Sequence, residues 1–184
     1  MKLAETISRV LNEVEKVLGR VNESEIDELC REILQAHHIF VYSMGREGLV
    51  VRSFAMRLMH LGMRVAVVGD MTTPAIKDGD LLVLSCGPGS SKTLDGLTET
   101  AHHSGAQVAV ITAQPDGTLS KKADHILYLA AQTMAENENA NSFQPMGSVF
   151  EQAAWIFLDA VIIALQMKTG QTASELRDRH TNLE

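Results

Sequence analysis

Five short apolar runs constrain this chain more than any other feature: 39–42, 65–68, 81–84, 108–111 and 126–129. Each is continuous rather than alternating in polarity. Strands covered on one face alternate, whereas strands buried on both faces do not. Helix-period segments separate most of the runs. One spans 49–61, with Val50, Phe54, Leu58 and Leu61 along one face, and another spans 94–103. Buried strands alternating with helices predict a parallel sheet with helices on both sides. Right-handed crossovers make that a doubly wound α/β sandwich.

Two helices precede the first run. Leu3, Ile7, Val10, Val14, Val17 and Val21 recur in steps of four and three, and Leu11 and Leu18 widen the stripe. This seam fits a helix packed on its own domain or one laid across a second copy. Asn22 is placed to cap the next helix, with Glu25 three residues on as a capping box. Ile26, Leu29, Cys30, Ile33 and Leu34 form that helix's buried stripe. After the last run comes a polar loop over 133–142, expected to be most exposed at 136–139. An apolar helix around 153–167 follows. It contains Asp159, a charge in an apolar helix that is expected to need a partner, with an interface as one source. The expected organisation is one domain over 1–184, with N-terminal helices over 1–36, a sheet core over 37–131 and C-terminal helices over 144–184.

With 184 residues, the chain can bury a substantial core. Its net charge of −7 argues against a general nucleic-acid surface and leaves room only for a local cationic pocket. The 153–167 stretch falls short of the ~20 residues a membrane span requires. The N-terminal segment is charged and amphipathic, unlike a signal peptide. A cytoplasmic protein with neither membrane nor nucleic-acid partner is expected. Cys30 and Cys86 lack metal-ligand spacing and are too few for a disulfide framework. No metal and no cofactor are expected. Cys30 reads as a small core hydrophobe, and Met56, Met59 and Met63 as core filler. His60 reads as packed beneath the sheet. His37 with His38, and His102 with His103, are neighbours that point apart on a helix and cannot chelate.

Chemistry is expected beyond the carboxyl ends of the strands, where open parallel sheets bind ligands. The loops after the first and third runs are both glycine-rich. One reads Ser43, Met44, Gly45, Arg46, Glu47, Gly48; the other runs from Ser85 through Cys86, Gly87, Pro88, Gly89, Ser90 and Ser91 to Lys92 and Thr93. Glycines let backbone amides approach an anion, and a following helix N-terminus adds its dipole. The pattern suits a phosphate monoester as well as a plain strand-to-helix turn. It is neither a dinucleotide fingerprint nor a Walker loop. Glu151 stands in the first turn of the long apolar helix, and His180 near the chain's end. A carboxylate and an imidazole are what proton transfer requires near neutral pH. Each also has a plainer role, the carboxylate complementing the helix dipole and the histidine capping a helix C-terminus.

Several stretches in order resemble the SIS (sugar isomerase) domain family, most closely its 6-phospho-3-hexuloisomerase group. They are 53–62, 68–70 followed by Thr73, Pro74, Ala75 and Ile76, then 79–82, 144–148 with Phe150 and Glu151, and the ending His180 with 182–184. The resemblance implies a three-layer sandwich built on a flavodoxin-like, five-stranded parallel sheet. It implies a homodimer or homotetramer that binds a small phosphorylated sugar. It implies a cofactor-free shift of a carbonyl through an enediol, with Glu151 carrying the proton and His180 assisting at ring opening or the carbonyl. It implies a phosphate cradle of Ser43, Gly45, Arg46, Glu47, Cys86, Gly87, Gly89, Ser90 and Ser91. In two loops this chain departs from the family. The first usually reads Gly-x-Gly-Arg-Ser-Gly, and here Ser43 and Glu47 replace its first glycine and its serine. The second usually reads Ser-Gly-Ser-Gly-Glu-Thr, and here Cys86 and Pro88 replace both serines. A carboxylate beside a phosphate costs Coulomb energy unless Arg46 or Lys92 neutralises it. A phosphosugar isomerase is the expected activity, and a non-catalytic phosphosugar-binding module the alternative.

Overall fold

The computed structural model describes residues 2–135 and 142–183, so the most exposed part expected of the polar loop lies outside the described residues. In chain order the helices are α1 (Leu3–Leu18), α2 (Glu23–Gln35), α3 (Gly45–His60), α4 (Lys92–His103), α5 (Ser148–Thr169) and α6 (Ala173–Asp178). The strands are β1 (Ile39–Tyr42), β2 (Val65–Val67), β3 (Leu81–Ser85), β4 (Gln107–Thr112) and β5 (His125–Tyr128). The five apolar runs are thus the five strands, with ends moved by a residue or so. All pair in parallel in the order β2-β1-β3-β4-β5. That is the flavodoxin-like order, whose topological switch lies between β1 and β3.

The sheet separates two cores. Ile39, Val41, Leu81, Val83, Ala109 and Ile111 face one side, where α1, α2, α3 and α5 pack. Phe40, Leu82, Leu84, Val108 and Val110 face the other, against α4. The period-2 alternation sends both sets into apolar surroundings, which is why no polar residue interrupts the central runs. β3 is buried at every residue, while the edge strands β2 and β5 are partly open.

Several details depart from the sequence reading. Val14 and Val17 of α1 are buried against the domain, but Leu3, Ile7 and Leu11 stay exposed. The seam therefore serves its own core in its second half and leaves its first half uncovered. Asn22 caps α2 by accepting from the Ser24 amide, yet Glu25 does not close a capping box. Its carboxylate accepts instead from the Tyr128 amide on the open edge of β5, 3.1 Å away. Met56 and Met59 lie on the exposed face of α3 rather than in the core. Asp159 is exposed on α5, where water solvates it and no buried partner is required. At 22 residues, α5 is long and apolar enough to cross a membrane by length and composition, but half of that stretch is buried inside the protein. Core helices meet the same test.

Candidate active site

The segment 45–48, read from the sequence as loop, is the first turn of α3. Gly48 makes this possible. A Cβ there would stand 2.8 Å from the Ser43 carbonyl oxygen, so only glycine lets the helix start against the end of β1. The β3–α4 loop is held by a second close approach. A Cβ on Gly117 would meet the Gly89 carbonyl oxygen at 2.2 Å, and the Leu119 amide donates to that same oxygen. Ser43 Oγ donates to the Ser85 carbonyl at 2.7 Å and ties the ends of β1 and β3 together. Its hydroxyl proton is committed to the scaffold, contrary to the expectation of a free donor.

Between these loops and the start of α5 lies a cavity of 590 Å³. Ser43, Gly45, Arg46, Glu47, Cys86, Ser90, Ser91 and Glu151 all line it, eight of the residues expected from the sequence. Gly87 and Gly89, also expected in the cradle, are not among its lining residues. Met146, also on the wall, holds a φ of 55°, the only positive value outside glycine among the described residues. Strain of that kind concentrates at functional sites.

The charges pair in an unexpected way. Arg46 reaches from α3 to α5, where its Nη1 donates to Glu151 Oε2 at 2.5 Å and to Ser148 Oγ at 3.3 Å. Lys92 lies outside the lining, exposed at the start of α4. Neither cation serves Glu47. Its carboxylate turns inward, accepting from Ser85 Oγ at 2.6 Å and from the Gly87 amide at 3.2 Å to each oxygen. Burial pushes the Glu47 carboxyl above its ordinary range. The two hydrogen bonds oppose that, and the Glu151 charge adds to it. Burial, with the Glu47 charge second, pushes the Cys86 thiol up to about 11, so it stays protonated and is no nucleophile near neutral pH.

Ser91 is the N-cap of α4, its Oγ accepting from the Leu94 amide at 3.4 Å, which leaves its hydroxyl proton for a ligand. His180 is not brought to this cavity. It stacks on His60 with ring centroids 5.1 Å apart, and His60 ends α3. Arg46 in the first turn of α3 and His60 in its last are separated by about 21 Å at 1.5 Å per residue. Within one protomer Glu151, paired with Arg46, and His180, stacked on His60, therefore stand beside opposite ends of α3.

Residues not marked as functional by the sequence reading hold the entry to α5. Glu13 on α1 accepts from Ser142 Oγ at 2.7 Å, the Phe143 amide at 3.2 Å and Gln144 Nε2 at 3.0 Å. Arg9, one turn earlier, lies 4.1 Å above the Phe143 ring. The only trace in the sequence is an Arg and a Glu four residues apart beside the seam, with nothing to show a partner 130 residues away. Burial raises the Glu13 carboxyl, but the three hydrogen bonds and Arg9 outweigh it and hold the group below its ordinary 4.5. A carboxyl depressed on folding contributes stability above its unfolded pKa and loses it as pH falls through the folded value. Glu13→Ala should accordingly cost about 1–2 kcal/mol at pH 7. Thermal unfolding at several pH values checks this: the gap to wild type should narrow below pH 4.5. A gap constant with pH would mean that packing, not the carboxylate, holds the turn.

The SIS domain family model matches residues 32–156. The 3-hexulose-6-phosphate isomerase of Bacillus subtilis is 37% identical over 185 residues, covering both chains in full. That of Mycobacterium gastri is 39% identical, covering 99% of this chain and 92% of its own. A solved Methanococcus jannaschii protein, for which the molecular function of 3-hexulose-6-phosphate isomerase was inferred, superposes with a TM-score of 0.85 at 32% identity. That superposition covers 98% of this chain and 99% of the other. By its domain match and its full-length relatives, the chain belongs to the SIS domain family.

Proposed function

We propose that the cavity isomerises a 3-hexulose 6-phosphate to the 2-hexulose 6-phosphate, with Glu151 as the base. The observation that carries this reading is the placement of Glu151: a largely enclosed carboxylate on a helix N-terminus, facing a 590 Å³ cavity at the sheet's switch point. The activity named for the full-length relatives supports the substrate class. In the reaction, Glu151 removes the proton from C2 as the C3 carbonyl oxygen gains one, giving the 2,3-enediol. Returning the first proton to C3 while the C2 hydroxyl loses its own leaves the carbonyl at C2. No net oxidant or reductant is needed. Arg46 positions Glu151 through their ion pair, and the Ser90 and Ser91 hydroxyls stand where they can meet the phosphoryl group. Conversion of a 3-hexulose 6-phosphate, followed by carbon NMR of the carbonyl, tests the reading; no conversion at any enzyme concentration overturns it.

His180 enters this reading through assembly. Leu3, Ile7 and Leu11 on α1, and Ile156, Ile163 and Met167 on α5, are exposed apolar surface that a homodimer or homotetramer would cover. In such an assembly His180 of one copy would serve Glu151 of another, since within one protomer they lie beside opposite ends of α3. Light scattering should show a dimer or tetramer across micromolar dilution. Co-refolding inactive Glu151→Gln and His180→Ala chains should restore activity in the mixture, because mixed sites pair an intact Glu151 with an intact His180. A monomeric mass, or a mixture as inactive as its parents, would remove the shared site.

A further inference from the structure

Several of the donors that should greet a phosphoryl group are already taken. Glu47 holds the Gly87 amide with both carboxylate oxygens and the Ser85 hydroxyl with one. The Gly89 amide donates to the Cys86 carbonyl at 2.9 Å, and Pro88 has no amide to offer. The charge balance is equally adverse. Among the described residues lining the cavity, Arg46 is the only cation, and it is paired with Glu151. Two carboxylates and one guanidinium give the cavity a net negative charge before any ligand arrives. A phosphate monoester carries about −1.5 to −2 near neutral pH. Placing it beside an ionised, part-buried Glu47 sets like charges together where water screens them poorly.

Resting on the phosphosugar reading above, we infer that Glu47 couples anion binding to the uptake of one proton, so that this cavity admits a phosphoryl ligand only with a neutral Glu47. Protonation removes the repulsion and weakens the carboxyl's hold on the Gly87 amide, which the ligand's oxygens can then share. None of the charged or titratable groups facing Glu47 compensates its charge. Glu151 across the cavity from α5 is a second carboxylate, Cys86 from the β3–α4 loop stays a neutral thiol, and Arg46 on its own helix turns to Glu151. The raised Glu47 carboxyl agrees in direction, since a proton is already held more tightly there than on a free side chain. Glu47 is therefore a specificity-determining residue: it makes the site select for a ligand that arrives with a proton and reject a dianion at alkaline pH.

Calorimetric titration of the full chain between about pH 5 and 8 tests this, with a hexulose 6-phosphate and with sulfate, an anion that does not titrate near neutrality. In wild type, sulfate affinity should fall by up to about tenfold per pH unit above the folded pKa of Glu47, as linkage of one proton requires. Repeating the titration in buffers of different ionisation heat should show net uptake of one proton, a reading that needs no variant. Glu47→Gln should bind sulfate with no such slope, and at about pH 8 more tightly than wild type. Unaltered wild-type affinity across the range, or a sulfate slope that persists in Glu47→Gln, overturns the inference and leaves the isomerase reading standing. Failure of both proteins to bind either anion at any pH would sink both.

Discussion

Glu151→Gln should lower turnover of a 3-hexulose 6-phosphate by about 10²–10⁴-fold while leaving KM nearly unchanged. Gln keeps the size of the side chain and an oxygen for Arg46 Nη1, which now donates to Glu151 Oε2, so the cavity wall should survive. What it loses is the basic lone pair that, in the proposed reaction, receives the substrate proton. The ion pair itself is half exposed on the Arg46 side and contributes little to stability. The carboxylate's interaction with the α5 N-terminus is worth about 0.3–1 kcal/mol. Melting temperature should therefore move by only a few degrees while the rate collapses. Unchanged turnover with a lowered melting temperature would assign Glu151 to dipole complementation instead. The size of the rate effect and the smallness of the stability effect together separate the two roles.

Phe157→Ala should produce the opposite pattern. Phe157 is among the largest fully buried side chains, two turns along α5 from Glu151, in the core shared by α1, α2, α3 and the sheet. Large-to-small substitutions of buried aromatics cost about 3–5 kcal/mol, the transfer term plus the cavity left behind. For a chain of this size each kcal/mol moves the melting temperature by about 2–4 °C. A drop of roughly 10 °C is expected in thermal unfolding, with substrate affinity retained below the transition. A drop below about 2 °C would show that neighbouring residues collapse into the space, and that α5 is anchored elsewhere. The contrast with Glu151→Gln follows from the helix itself: its N-terminal turn faces the cavity, and its middle is core.

Legibility in the sequence differed sharply between levels. The strands were readable because continuous apolar runs leave strands buried on both faces as the economical solution, and Ile39–Tyr42 was delimited to the residue. Their spatial order came with the family resemblance rather than from periodicity, since parallel pairing leaves no mark on a run of Val and Leu. The cavity's lining was also largely readable, because glycines and hydroxyl residues after strands one and three mark the switch point of such a sheet. Departures from the family pattern at Glu47, Cys86 and Pro88 were visible as letters.

What those letters do was not readable. Whether Glu47 would meet Arg46, Lys92 or a buried amide depends on side-chain directions that only packing decides, and the structure gives it Ser85 and Gly87. The same holds for Glu25, which leaves a local capping role for the edge of β5. Glu13 at the entry to α5 is a contact between residues 130 positions apart, invisible to any local period. The separation of His180 from Glu151 is of this kind too. A motif at the chain's end carries chemistry in its residue type, but its location is set by where α6 packs, which is the far end of α3. Hydrophobic patterning is local and periodic, so the sequence by itself determined the elements and the sheet's burial. Ion pairing, amide occupancy and the direction of each carboxylate depend on distances across elements, so only the tertiary structure decided the electrostatics of the site.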